Sequence, residues 1–483
     1  MQDRRVLNLM QALHTGRVDR RGFLRRAAAL GVSAPVAMGL LGSVPLVGAQ
    51  DATPAASGDF DWKRESGKTI YPILVEHPYT DAMEPFFPEF EELTGITVKY
   101  EKLPETQFRE KLLLALSTGA GTYDVFMTGY IDDFRYVGGG WIEPLDAYIE
   151  DPTLTAPDWD FSDFYESLID VNRWDGTPAT GVGEGSLWAL PVNEEGYALM
   201  YRKDIFEAQG IEVPKTYDEM LTVAEKLNGM DFEGQKVAGF VARGDRTWPT
   251  ITTGYGTVFW SYGGQVMDAD AWKSTVNNEA GVAATEYWGK LMKFAPEGVT
   301  GFTWYEAMQS FMNGSAAMFI DADHMAGSIE DPAQSKVAGK AGYAIPPEGP
   351  GGIKTNIWIW SLGLASAAKE KNAAWLFMQW ATSKKILADS AVKNNINPTR
   401  KSAANDPAVL EYMKGWGDYS KVYQELIEEY SRVLVPALPE FAQVGDVWAQ
   451  SVQEVVLGQK DAKTAMDEAA AAMDQVLATI KPA

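Results

Sequence analysis

Residues 71–133 read YPILVEHPYTDAMEPFFPEFEELTGITVKYEKLPETQFREKLLLALSTGAGTYDVFMTGYIDD, and the order of apolar runs in this stretch decides the fold class. The run 71–75 has the composition of a strand. Residues 84–93 follow a helical pattern closed by Gly95, and 96–100 returns to strand character. Phe108, Leu112, Leu113 and Leu116 then fall at helix spacing, with Gly119 as the stop, before a buried strand at 123–127. Strand, helix, strand, helix, strand is an α/β signature. Ligands of such sheets sit outside the carboxyl ends of the strands. That rule selects two loops, His77-Pro78-Tyr79 and residues 128–132. Tyr79 would offer a stacking face and Asp132 a hydrogen-bond acceptor, unless both merely edge the sheet.

A second module follows the glycine-rich GVGEGS at 181–186. Residues 187–191 can be extended, and 197–201 form a further strand candidate. Thr216 with Glu219, and Thr303 with Glu306, have capping-box spacing ahead of apolar helical faces. Helical periodicity returns at 371–387 and runs from 444 to about 480. The chain has 483 residues, enough for two domains with substantial cores.

The amino terminus has a different logic. DRRGFLRRAAALG at 19–31 belongs to a leader with seven arginines in its first 26 residues, followed by a charge-free stretch from 27 to 47. A basic region, an apolar region and the small-residue site Val47-Gly48-Ala49 are the parts of an export signal, and Arg20-Arg21 points to the twin-arginine route. Residues 1–49 are thus expected to be removed and 50–69 to form a tether. The formal charge of −24 would become about −29, because the cut takes seven arginines and two acids. So acidic a chain disfavours nucleic acid and anionic lipid as partners. No later apolar run is suited to spanning a membrane.

Enzymatic constellations are scarce. There are no cysteines and three histidines, one of which, His14, lies in the leader. His77 and His324 belong to no H-E-x-x-H cluster, and G-x-S-x-G is absent. Asp321-Ala-Asp323-His324 is the best metal-like fragment, but three neighbours do not make a hard-cation shell. Glu194-Glu195 is a carboxylate pair, yet glycoside hydrolysis needs two carboxyls set across a sugar ring. No cofactor is expected.

Aromatic residues are abundant, with 16 Trp, 20 Tyr and 20 Phe. Trp188, Trp260, Tyr262, Trp304, Tyr305, Trp358 and Trp360 sit in polar or glycine-rich contexts. Flat rings cover the C–H faces of carbohydrates while Asp, Glu, Asn or Arg bond the hydroxyls. For Trp188, Trp260 and Trp304 a ligand wall and a core position both remain open. Trp358 and Trp360 share strand parity, opposite to Ile357 and Ile359. Arg243 and Asp245-Arg246 could bind hydroxyls, although a solvated charge cluster explains them as well.

The segments GTYDVFMTGYIDDFRYVGGGWIEPLDAYI, WALPVNEEGYALMYRKDIFEAQGIEVPKTYDEMLTVAEKL, FMNGSAAMFIDADH, AAWLFMQWATSKK and NPTRKSAANDPAV together resemble the extracellular solute-binding proteins of sugar ABC importers, the maltose-binding-protein-like class. The resemblance implies a two-lobed periplasmic-binding-protein fold with hinge strands and a ligand cleft. It places crossings near 192–196, at 317–321 and after 361–364. Lobes of 70–192 with 322–362, and 193–321 with 363–480, follow. It brings Tyr79, Asp132, Trp260, Trp304, Asp321 and Trp358 into consideration as ligand contacts, beside Trp188 from the aromatic pattern. The implied function is noncatalytic capture of a small carbohydrate or polyol and its delivery to ABC-transporter membrane subunits, by a monomer in the periplasm. A secreted carbohydrate-active hydrolase using cleft carboxylates is the alternative, and an adhesin with an exposed partner surface a further one.

Overall fold

The structure is a computed structural model that describes residues 59–394 and 396–481. The leader and its cleavage site lie outside the described residues. No helix among them is long and apolar enough to cross a membrane.

One mixed sheet organises the chain. Its strands are β1 (Ile73–Val75), β2 (Glu101–Leu103), β3 (Val125–Gly129), β4 (Ala189–Arg202), β5 (Met318–Ala322), β6 (Ala341–Ala344), β7 (Thr355–Leu364) and β8 (Ser431–Arg432). They run in the order β5-β4-β7-β3-β1-β2, with β6 also paired to β4 and β8 to β7. The early strands β1, β2 and β3 pair in parallel, as the strand–helix alternation requires. The residues beside β1 differ from the expected strand at 96–100. Thr97–Val98 pairs with Thr69–Ile70, and pairing resumes at Glu101 opposite Ile73. Pro72 stands in the interval and has no N–H to give a ladder.

The architecture has two lobes because β4 serves two neighbourhoods. Its first half, from Ala189 to Gly196, pairs antiparallel with β7; its second half, from Tyr197 to Arg202, pairs with β5 and β6. The chain therefore passes from one set of strand partners to the other in the middle of β4. β7 continues into the first lobe, where Trp360 to Leu364 pair with β3.

The helices bear out most of their sequence signals, although the stretch expected at 371–387 is two helices, Lys371–Ala381 and Lys384–Asn394. They include α1 (Pro78–Met83), α2 (Phe87–Thr94), α3 (Glu105–Ser117), α4 (Tyr130–Gly139), α5 (Tyr217–Leu227), α6 (Trp248–Ile251), α7 (Gly254–Ser261), α8 (Trp304–Met312), α9 (Lys371–Ala381), α10 (Lys384–Asn394), α11 (Phe441–Val456) and α12 (Ala462–Ile480). Gly95 closes α2 at a φ of 73°, where a side chain would be strained. In α3, Phe108, Leu112 and Leu116 are buried while Leu114 is exposed, as a one-sided helix demands. Both capping boxes form, at α5 and α8; each is worth about 1 kcal/mol. The terminal helical stretch is broken into α11 and α12 around Gly458, at a φ of 68°.

Residues 322–344, which the sequence groups with the first lobe, lie instead in the second, where β6 pairs with Leu199 to Arg202 of β4; packing also divides residues 363–480, which the sequence groups with the second lobe. Helix α9 lies on first-lobe elements: Trp375 donates to Thr155 Oγ1 (3.1 Å) and Gln379 to the Leu154 carbonyl (2.8 Å). Arg400 reaches the Asp160 carbonyl at 2.7 Å. Helices α11 and α12 instead pack on the second lobe, with Gln453 bonded to the Gly244 and Thr300 carbonyls. The reason is apolar area. Trp375, Leu376 and Phe377 are wholly buried, and each contributes on the order of 2–5 kcal/mol of transfer free energy against the first lobe.

Candidate functional site

Strand ends, the crossing strands and short second-lobe helices enclose a cleft of about 740 Å³. The first lobe contributes residues 75–78 after β1 and the first turn of α3, including Glu105 and Arg109. Glu195 and Tyr197 come from β4, Trp358 and Trp360 from β7. The second lobe supplies Arg243, residues 247–250 around α6, Trp304 and Met308 of α8, and His324 just after β5.

Strand alternation separates the two adjacent glutamates. Glu195 faces the cleft, whereas Glu194 is buried behind it and accepts from Asn397 Nδ2 at 3.1 Å. The same amide bonds Asp323 Oδ1 at 2.8 Å. Burial pushes the Glu194 carboxyl up to about 8 and Asp323 well above its usual range, reinforced by the other carboxylates nearby and opposed by hydrogen bonds such as that from Asn397. Burial also works against the charge of Glu195, but His324, His77 and Arg243 overcome it and hold that carboxyl below its usual range. Burial lowers His324 toward the neutral imidazole.

His77 Nε2 lies 3.5 Å from Glu195 Oε1, and His324 Nδ1 lies 3.8 Å from the same oxygen. These three ligand-type atoms fall within 4.8 Å of one another, a spacing that invites a metal ion. The tautomer argues against one. His77 Nδ1 accepts the Tyr79 N–H at 3.1 Å, which leaves Nε2 as the protonated nitrogen directed at Glu195. The trio presents hydrogen-bond donors and an acceptor side by side at the cleft.

Two arginines are fixed at the cleft wall by carboxylates. Asp321, fully buried on β5, grips Arg243 with Oδ2 2.9 Å from Nε and Oδ1 2.5 Å from Nη2. Burial opposes the guanidinium charge, and Asp321 more than restores it. On the opposite side Arg109 pairs with Asp132 of α4 and with Glu105, whose Oε1 is 2.9 Å from Nη2. The Arg109 guanidinium carbon stands 5.8, 5.5 and 5.4 Å from the ring centroids of Trp248, Trp358 and Trp360.

The seven residues singled out by sequence are distributed as follows. Trp304, which is 39% exposed, and Trp358 line the cleft. Asp132 and Asp321 stand one contact behind it, through Arg109 and Arg243. Tyr79 is buried in α1 with its hydroxyl on Met83 Sδ, and Trp260 is buried in α7 against Phe259. Trp188 donates to the Trp174 carbonyl at 2.9 Å and borders a separate, water-sized cavity of about 10 Å³. Sequence reasoning passed over Arg109 and Trp248. Arg109 reads as an ordinary helix-surface partner of Glu105, and the TWPT start of α6 carries no periodicity. An arginine one turn above a glutamate at a strand-to-helix junction was the available signal.

A sheet whose strands cross between two lobes over an aromatic, hydroxyl-binding cleft defines a two-lobed binding protein. The chain belongs to the bacterial extracellular solute-binding proteins, whose family model matches residues 77–387. This is a family of non-catalytic solute carriers. The erythritol/L-threitol-binding protein of Mycolicibacterium smegmatis is 30% identical over 451 residues, covering 91% of this chain and 93% of that one. The mannitol-binding protein of Pseudomonas aeruginosa is 25% identical over 399 residues, 79% of this chain and 85% of that one. Among solved structures, an ABC-transporter solute-binding protein from Agrobacterium radiobacter K84 in complex with ribitol superposes with a TM-score of 0.75 at 25% identity, covering 85% of this chain and 99% of that one. The hydrolase alternative finds no support among these relatives, and of Glu194 and Glu195 only the latter meets the cleft.

Proposed function

We propose that the protein captures a small neutral carbohydrate, with a sugar alcohol as the favoured ligand, and delivers it unchanged to the membrane subunits of an ABC importer by closing its lobes. The observation that carries this reading is the cleft lining. Glu76, Glu105, Glu110, Glu195, Asp245 and Asp446 outnumber Arg109 and Arg243, and most of the remaining lining residues are aromatic or hydroxyl-bearing. Such a field repels sugar acids and phosphates, while its acceptors and indole faces suit polyols. The volume is in the range of small-molecule sites. Relatives named for erythritol, L-threitol and mannitol, and the ribitol-bound neighbour, support the same class.

Within this reading Trp304 contacts the ligand, and Trp358 offers it the part of its ring that Arg109 leaves uncovered. Asp132 and Asp321 position the arginines, and Tyr79, Trp188 and Trp260 support the walls by packing. Contacts from both lobes are complete only when closed, so the ligand shifts the population toward the closed form. A noncatalytic monomer exported by the twin-arginine route and working in the periplasm completes the reading. Its lobes are 70–192 with β7 and the α9 to Arg400 segment, and 193–344 with the terminal helices. The test is calorimetry of residues 50–483 against tetritols, pentitols, hexitols, monosaccharides and maltose, with product analysis of every mixture. Saturable binding of an intact polyol is expected; release of a cleaved product, or binding confined to sugar acids, would overturn the proposal.

A further inference from the structure

Arg109 occupies a place that has the chemistry of a sugar-ring subsite. Three indoles, Trp248, Trp358 and Trp360, lie with their centroids 5.4 to 5.8 Å from its guanidinium carbon. The rings also pack on one another, Trp358 with Trp360 at 5.4 Å and with Trp248 at 5.7 Å, so the arginine caps one side of a contiguous indole platform. Two carboxylates face the same spot, Glu105 and Asp132. Indole faces beside carboxylate acceptors form the pairing that holds a pyranose, its C–H face on the ring and its hydroxyls on the oxygens. In this protein the guanidinium caps the indole platform and consumes the acceptors together.

The arginine is held there firmly. Glu105 takes both Nε, at 3.1 Å, and Nη2, at 2.9 Å, while Asp132 takes Nη1. The cage is equally fixed on its other side. Trp358 lies against Gly129, where an added Cβ would come within 2.4 Å of its ring, so the indole has no room to retreat from Arg109. Cation–π attraction to several indoles reinforces the arrangement. The part of the cleft left for ligand is the polar side, with Glu195, His77, His324 and Arg243.

We propose that Arg109 is a specificity-determining residue that plugs a ring-sugar subsite and thereby restricts the cleft to acyclic polyols. The inference rests on the carbohydrate reading above and deepens it. A flexible polyol can follow the polar wall with successive hydroxyls, whereas a locked ring needs the indole faces that the guanidinium covers.

The experiment compares glucitol with methyl α-glucopyranoside, matched in the carbons of the sugar unit and locked open or closed, by calorimetry on wild type and on Arg109→Ala. Wild type is expected to favour glucitol at least about tenfold. In R109A the gap should narrow to within about threefold, chiefly through gain of the glucoside. Asp132→Asn loosens the tether while keeping the side chain, so a smaller narrowing in the same direction is expected; it also serves if R109A fails to fold. A wild type that binds both alike, or a selectivity ratio that neither variant moves, overturns the plug. A wild type that binds no carbohydrate at all overturns the functional reading, and the plug with it.

Discussion

Replacing Asp321 by alanine would leave the Arg243 guanidinium charged, largely buried and without its partner. Asp321 is fully buried and Arg243 has 11% of its side chain exposed, so water can replace little of what is lost. The pair is close, at 2.5 and 2.9 Å, and Asp321 also accepts the Ala322 N–H at 2.8 Å. Breaking a buried ion pair by removing one member costs about 3–5 kcal/mol. With a urea slope of about 3 kcal/mol/M or more for a chain of this size, the midpoint should fall by roughly 1–1.5 M. The assay is urea unfolding followed by tryptophan fluorescence. The same logic makes a second statement that a mere contact-counting view does not. Replacing the whole pair, Asp321→Leu with Arg243→Met, removes the stranded charge and should recover at least half of the loss. A single variant less than about 1 kcal/mol below wild type, or a double variant no better than the single, would refute the assignment of a desolvated pair.

Glu194 offers a pH test. Its folded pKa of about 8 is above the unfolded carboxylate value, so its contribution is complete below the unfolded pKa and is lost as pH rises toward 8. Glu194→Gln should therefore flatten the fall in urea midpoint between pH 5.5 and 8 relative to wild type; parallel profiles would contradict this. Gly129→Ala would drive a methyl group into the Trp358 ring, which it would meet at 2.4 Å. Because the indole must tilt into the cleft, polyol affinity should drop about tenfold or more with the circular dichroism spectrum retained. Thr216→Ala removes the cap of α5 and should cost about 1 kcal/mol in chemical unfolding without changing ligand affinity.

The order of elements was legible because each carried a local signal. The apolar period in α3, the left-handed stop at Gly95 and both capping boxes depend on neighbours within a few residues, and all appear in the fold. The boundaries were less legible where tertiary pairing decides them. The strand after Gly95 is divided by Pro72 on the opposing chain, a residue some distance away in sequence. At the site, Trp358 and Trp360 were recoverable from strand parity, since their position on β7 sets which face they share. Arg109 was not, because its meaning lies in Trp248, Trp358 and Trp360, which reach it from other elements. Alternation along β4 separates Glu194 from Glu195, but what each then meets, Asp323 and Asn397 behind the cleft or His77, His324 and Arg243 within it, comes from distant parts of the chain.

The placement of β7 between β4 and β3 has a consequence during synthesis. β3 ends at Gly129, whereas its neighbour in the sheet begins at Thr355. At ribosomal rates of about 5–20 residues per second, the edge of β3 waits on the order of 10–50 s for that partner to emerge. Through that interval the nascent first lobe exposes backbone N–H and C=O groups ready to pair with any passing strand. Neither lobe can be finished before the last third of the message is read, so the protein's greatest exposure to aggregation precedes any encounter with its ligand.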